Sequence, residues 1–316
     1  MSPSSNGRTS SSSQWLGAGL VVVGALCWST AGFFVTGSLR GSGLQPLGLA
    51  FWRVLWAFLT LLVALAIFKR ELLRISRRNF LWAIGMGVLA VGVFQVLWIL
   101  SIVTNGASLA TVVQCNAPII VTLLARILWR EPLTWQKWGA LLLAFVGTAL
   151  VAQLSASGNL RLTPTGLFIS LGAAIAYAGI TLFTKKLTDN GVDAWTILVY
   201  SFAFAALALL PFQIGQPRPV PADWRTIAAF AALVLITTIA GYAFYTLALR
   251  HLQASVASIV ALIEVPFAAA FAYLLLDERM NLTQILGAAT VLGGVLLLAT
   301  SAGRREAVRR APAEAQ

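Results

Sequence analysis

The chain has 316 residues, of which 59% are hydrophobic and only 10% charged. The apolar residues fall in runs of about 20, the length a helix needs to cross a hydrocarbon layer of roughly 30 Å, so a water-soluble globular protein is excluded. A formal net charge of +12 would suit nucleic-acid binding if the bases formed a stripe, but they sit in short loops between apolar runs, where they act as an orientation signal.

In chain order, residues 1–13 are rich in Ser and lack the short apolar core of a signal peptide, so they read as a disordered cytoplasmic tail. Ten apolar segments follow, at about 16–36, 46–68, 80–102, 108–129, 133–152, 165–187, 194–213, 225–249, 254–276 and 282–302. Pro46 and Pro164 mark helix starts, and Pro217, Pro219 and Pro221 interrupt the chain after the seventh segment. Residues 303–316 form a basic tail. Placing the N-terminus in the cytoplasm puts sixteen Lys and Arg residues on the cytoplasmic side and five on the other, with Arg53 left inside a helix. That imbalance orients both termini inwards by the positive-inside rule.

The segments repeat. Ala107-Ser108-Leu109-Ala110, Pro118, Glu131 and Gly139 recur about 147 residues later as Ala254-Ser255-Val256-Ala257, Pro266, Glu278 and Gly287. Residues 14–153 and 164–302 are thus two copies of a five-helix unit. Five is odd, so the second copy enters the bilayer inverted relative to the first. The expected fold is an all-α polytopic membrane protein of ten transmembrane helices in two inverted five-helix repeats, and inverted repeats with proline-broken helices point to a transporter.

Polar groups at membrane depth are the candidate site. Arg53 lies roughly 10 Å along its helix from Pro46 at 1.5 Å per residue, and Glu264 is set among Val260, Ala261, Leu262, Ile263 and Val265, from where it cannot easily reach the surface. Intramembrane charges of this kind face a partner or a wet cavity. Pro118 and Pro266 each remove a helical hydrogen bond and free the carbonyl four residues earlier, at Gln114 and Leu262, and Gln114 and Asn116 add side-chain polarity at that level. Under the same offset Gln95 matches Tyr242 and Trp98 matches Tyr245, while Trp28 and Tyr177 fall at similar places in the first helix of each copy. These aromatics are expected to wall a cavity suited to flat or apolar solutes.

Other signals carry less. Gly85-Met86-Gly87 lies in an apolar helix with no preceding strand, so close helix approach explains it better than a dinucleotide site. Cys27 and Cys115 read as small apolar residues. His251 reads as solvated in a short turn, and Glu131 and Glu278 as hairpin caps. Gly139 with Gly147, and Gly287 with Gly293 and Gly294, suit packing within the chain, which reads toward a monomer. No metal set, cofactor motif or nucleophile-base pair is present, so neither a cofactor nor an enzyme is expected.

Phe51-Trp52-Arg53 in the second helix, the Ala-Ser-x-Ala start and mid-helix proline of both repeats, the hairpin glutamates Glu131 and Glu278 and the glycines after them resemble the drug/metabolite transporter superfamily in its ten-helix EamA type, over about residues 16–302. The layout is most similar to YddG-like exporters of aromatic and other amino acids. The resemblance implies export across a bacterial inner membrane by alternating access through a central cavity. It places Arg53 in a family motif, whereas Glu264 follows from the ninth segment itself. The expected partner is a small molecule, an amino acid or related metabolite, with the bilayer and without nucleic acid. Arg53 or freed backbone would meet its carboxylate, and Glu264, Gln114 or a freed carbonyl its ammonium group. Proton-coupled efflux of quaternary cations and a non-transporting receptor or scaffold are the competing readings.

Overall fold

The computed structural model describes residues 11–40, 43–105, 107–152, 164–216, 223–276 and 281–310. Apart from a short 3-10 turn at Arg70–Leu73, the elements among them are helices, which we number α1 to α10. α1 runs through Ser11–Ser29 and Ala31–Arg40, broken at Thr30; α2 is Pro46–Phe68. α3 passes through Arg77–Gly85, a π-helical stretch Met86–Val93, and Phe94–Asn105. α4 has two halves, Ala107–Gln114 and Ala117–Trp129, and α5 is Trp135–Val151. α6 is Pro164–Asp189 and α7 is Ala194–Gln213. α8 comprises Trp224–Ala232, a second π-helical stretch Leu233–Ala240, and Gly241–Ala248; α9 comprises Ala254–Ala261 and Glu264–Leu276; α10 is Leu282–Arg310.

The duplication reaches the irregularities. Elements starting at 77, 86, 94, 107, 117 and 135 recur at 224, 233, 241, 254, 264 and 282, a constant offset of 147. Both π-helical stretches and both mid-helix breaks therefore occupy equivalent positions. A π-helical turn holds an extra residue and leaves backbone carbonyls ill-matched; in α8 the Thr238 hydroxyl donates to the Leu233 carbonyl at 2.9 Å. In α3 the same stretch brings Gly87 against α7, where a Cβ would stand 2.5 Å from Phe204 Cβ and 2.6 Å from the Ser201 carbonyl.

Helix ends follow local chemistry. Asp193 caps α7 by accepting from the Trp195 N–H at 3.0 Å, Asp223 caps α8 through Thr226 N–H at 2.8 Å, and Asn281 and Gln284 cap α10 reciprocally at 3.0 and 2.9 Å. The Asp223 carboxyl is held below its ordinary pKa, first by the hydrogen bond from the Thr226 backbone.

The spans divide into two kinds. Eight helical stretches are long and apolar enough to cross a bilayer, while the apolar parts of α5 (Trp135–Val151) and α10 (Leu282–Leu298) are shorter. Those two close each repeat and pack on one another through glycine. A Cβ on Gly147 would meet the Gly287 carbonyl at 2.6 Å, one on Gly287 the Gly147 carbonyl at 2.6 Å, and one on Gly294 the Ala140 carbonyl at 2.9 Å. Without side chains between them the backbones pack closely, as expected for helices in lipid. The main core joins α2, α3, α6, α7 and α8 around Val54, Met86, Val91, Ile197, Leu198 and Phe202, all buried. Large apolar side chains such as Phe68, Ile127, Trp135 and Phe168 remain exposed on the outside, which is the surface a lipid environment covers.

Candidate substrate cavity

One face of the bundle is stitched shut. It carries the start of α1 and the connections α2–α3, α4–α5, α6–α7 and α8–α9. Ser13 bonds His251 at 2.8 Å; Lys185 donates to the Leu249 carbonyl at 3.1 Å; Arg250 pairs with Asp193 at 2.9 Å; Thr196 and Tyr200 donate to the carbonyls of Leu72 and Leu73 at 2.6 and 2.7 Å; Asn190 reaches Asn79 at 2.8 Å. Gly17 lets α1 lie against this seam, since a Cβ there would meet Leu252 at 2.7 Å and His251 at 2.8 Å. The hairpin between α4 and α5 is tied to the start of α9. Glu131 accepts from the N–H groups of Ala254 and Ser255 at 2.8 and 3.2 Å and from the Ser255 hydroxyl, with the Lys137 ammonium 3.6 Å away.

A cavity of about 530 Å³ occupies the other half of the bundle. Its outer wall includes Val151 and Ala152 at the end of α5 and Gln284 in the first turn of α10; its inner wall includes Trp28, about 25 Å along α1 from Ser11 at 1.5 Å per residue. These residues place the opening on the face opposite the chain's N-terminal end.

The helix breaks build the middle of the wall. α4 is interrupted at Cys115–Asn116 and α9 at Leu262–Ile263, in each case just ahead of the proline. The Asn116 amide turns back to donate to the carbonyls of Val112 and Val113 at 3.1 and 3.2 Å, satisfying the end of the first half-helix. In α9 the Leu262 carbonyl accepts from the Val265 N–H at 3.0 Å, a tightened turn that meets part of the need the proline creates. Glu264 opens the second half of α9 and lines the cavity, and its side chain has no hydrogen-bond or ion-pair partner among the described residues. Gln114 Oε1 and Trp28 Nε1 are likewise buried without partners.

Aromatic rings complete the floor. Trp28 lies 5.3 Å from Tyr242 edge-on and 5.1 Å from Tyr245, and Tyr177 is 5.0 Å from Phe94. Gly241 gives the indole room, for a Cβ there would stand 2.6 Å from Trp28 Cδ1 and Nε1. Tyr245 is fixed by a 2.7 Å bond between its hydroxyl and that of Thr181.

Of the residues singled out in the sequence, Trp28, Trp98, Gln114, Pro118, Tyr177, Tyr245 and Glu264 line this cavity; Arg53, Gln95, Asn116, Tyr242 and Pro266 do not. Tyr242 stands directly behind Trp28, within electrostatic reach of both Arg53 and Glu264. Arg53 is half-buried, with its Nε unpartnered, and no Lys, Arg or His among the described residues lines the cavity wall. Glu278 and Ser108 lie outside what can be described. Thr148, Thr181, Ser258 and Cys115 line the cavity without having been singled out for it, because a lone hydroxyl or thiol in an apolar helix has no periodic signature. Among the described residues no cluster of His, Cys, Asp or Glu could hold a metal ion.

A ten-helix bundle of two inverted repeats around a polar-tipped cavity defines a membrane transporter fold, and comparison with known proteins agrees. The chain belongs to the EamA-like transporter family, which matches residues 15–153 and 164–300, one match per repeat. It is similar to the uncharacterized inner membrane transporter YicL of Salmonella typhimurium, at 24% identity over 287 residues covering 90% of this chain and 95% of that protein. It is also similar to a probable amino-acid metabolite efflux pump of Escherichia coli, at 26% identity over 216 residues, 64% of this chain and 71% of the relative. A crystal structure superposes with a TM-score of 0.77 over 94% of this chain and 99% of its own at 16% identity, which establishes the shared fold.

Proposed function

We propose that this transporter exports small metabolites, best amino acids including aromatic ones, across a bacterial inner membrane by alternating access, with both termini in the cytoplasm. The observation that carries the substrate class is Glu264, a carboxyl with no hydrogen-bond or ion-pair partner among the described residues, in a wall otherwise made of aromatic, aliphatic and neutral polar residues. An ammonium group placed there gains a charge-assisted hydrogen bond, and the rings of Trp28, Trp98, Tyr177 and Tyr245 enclose the side chain. The substrate carboxylate meets neutral donors, the Trp28 indole N–H and the Thr148 hydroxyl, in place of Arg53, which stands outside the wall. A resemblance to a probable amino-acid metabolite efflux pump supports the same class.

A second reading has a specific observation in its favour. Among the described residues, one carboxyl, several ring faces and no basic side chain in the wall also suit an organic cation that lacks a carboxylate. Flux of radiolabelled amino acids and of one quaternary ammonium dye into proteoliposomes, with and without a pH gradient, separates the two. Amino-acid flux above that of empty liposomes supports the first reading. Dye flux driven by the gradient, with every amino acid inert, overturns it.

A further inference from the structure

We infer that Glu131 is a latch residue: by seating on the N-terminal end of α9 it holds the N-terminal face of the transporter closed, and its release is a step of the transport cycle. The inference rests on the alternating-access reading and is independent of which solute is carried.

The contacts are unlike the rest of the seam. Glu131 belongs to the first repeat and Ala254 and Ser255 to the second, 123 and 124 positions away. The carboxylate is buried, 6% exposed, and takes two backbone N–H groups and one hydroxyl from the first residues of a helix, where the unpaired amide donors and the helix dipole favour negative charge. Lys137, 4% exposed, braces the seat from the first turn of α5, donating to Gln253 Oε1 at 3.0 Å and to the Ser255 hydroxyl at 2.6 Å. The ion pair of Arg250 with Asp193 on this face lies within the second repeat, is about one-third exposed and contributes correspondingly little. α9 is the helix that carries Glu264 past its break into the cavity wall, so the latch and the solute side chain share one element.

The arrangement is also asymmetric. The offset of 147 pairs Lys137 with Gln284, and Gln284 lines the open side of the cavity while Lys137 is enclosed at the closed side. An ammonium braces one face, and a neutral amide occupies the equivalent position at the other. Withdrawing Glu131 leaves a buried Lys137 and bare amide donors behind, so the closed state is held against the open one until a compensating gain, such as a bound solute, is supplied.

Cys115 in the cavity wall reports the open face. With Cys27→Ala as background, a membrane-impermeant charged maleimide is applied to right-side-out and to inverted membrane vesicles holding the full chain. The starting protein should label fast from the face opposite its N-terminal end and slowly from the N-terminal face. Glu131→Gln should raise the slow rate at least about tenfold, the effect of shifting a two-state balance by 1.4 kcal/mol, and Glu131→Asp should restore part of the difference. If Glu131→Gln does not accumulate as folded protein, Ser255→Ala, which removes one hydroxyl from the seat, should raise the rate to a smaller extent. A slow rate unchanged in the folded variants overturns the latch while leaving alternating access intact. No labelling from the N-terminal face in any protein, the starting one included, overturns alternating access itself.

Discussion

Gly147 on α5 sits where a methyl group has no room, and two of the three nearest atoms are backbone. A Cβ there stands 2.6 Å from the Gly287 carbonyl oxygen, 2.7 Å from Val291 Cγ2 and 2.8 Å from Val291 N, against the 3.4 Å at which ordinary contact begins. Gly147→Ala must therefore separate α5 and α10 locally by close to 1 Å, a gap that forfeits a quarter to a half of the dispersion well for the atoms along it. Overpacking of this kind costs about 1–3 kcal/mol, and the upper end applies because backbone cannot rotate away. Alanine returns up to ~1 kcal/mol through its better helix propensity, leaving a net loss of about 2 kcal/mol. That corresponds to a fall in Tm of about 4 to 8 °C for a large chain. Two internal comparisons fix the cause. Gly139→Ala meets only Leu297 Cδ2, at 3.1 Å, which can turn aside, so gain and loss should roughly cancel; Gly293→Ala meets nothing within 4 Å and should raise Tm. The assay is thermal unfolding of the three purified variants in one detergent. Equal shifts at Gly147 and Gly293, or a fall at Gly293, would refute the claim that Gly147 is kept for close packing of α5 on α10.

Glu264→Gln should lower kcat/KM for an amino acid by about 10- to 150-fold, the value of a charged hydrogen bond of roughly 1.5–3 kcal/mol, while leaving Tm in detergent close to that of the parent; flux within twofold of the parent would remove Glu264 from the site. Arg53→Gln should leave KM within about threefold, since Arg53 does not line the cavity; a larger loss in KM would bring its guanidinium into contact with the solute. Saturating substrate should slow maleimide labelling of Cys115, whose thiol lines the same wall as Glu264, and unchanged labelling would place the solute elsewhere. Asp223→Ala should lower Tm slightly at neutral pH through loss of the α8 cap. The folded-state pKa of Asp223 is depressed below its ordinary 3.8, so its contribution is complete above that value and lost as pH falls through the depressed one; Tm of parent and variant should converge there.

Depth along a helix was legible in the sequence, and direction around it was not. The ten segments, the offset of 147 and the prolines follow from hydropathy and repetition, and the structure extends that repetition to π-helical stretches that no residue type announces. Trp98 and Gln95 stand three residues apart, as do Tyr245 and Tyr242, and in both repeats the later residue lines the cavity while the earlier one packs behind it. The spacing turns a helix by about 60° short of a full circle, enough to put one side chain in the wall and the other against a neighbour. Arg53 is the same case: its position gives a depth but not the helix it faces. Glu131 escaped for another reason. A glutamate in a hairpin reads as a local cap, and nothing in its own surroundings says that the helix it caps begins 123 residues later.

The brevity of α5 and α10 sets a condition on the surrounding lipid. Their apolar stretches, Trp135–Val151 and Leu282–Leu298, span about 25 Å at 1.5 Å per residue, several ångströms less than an average hydrocarbon layer. Because the two pack side by side, the shortfall falls on one flank of the molecule, where the membrane must dimple to meet it, while the longer helices fit without strain. The bilayer thus becomes a mechanical partner: lengthening the acyl chains raises the cost of the dimple by fractions of a kcal/mol per ångström, and a transport cycle that tilts or buries this flank would run at a speed set in part by membrane thickness.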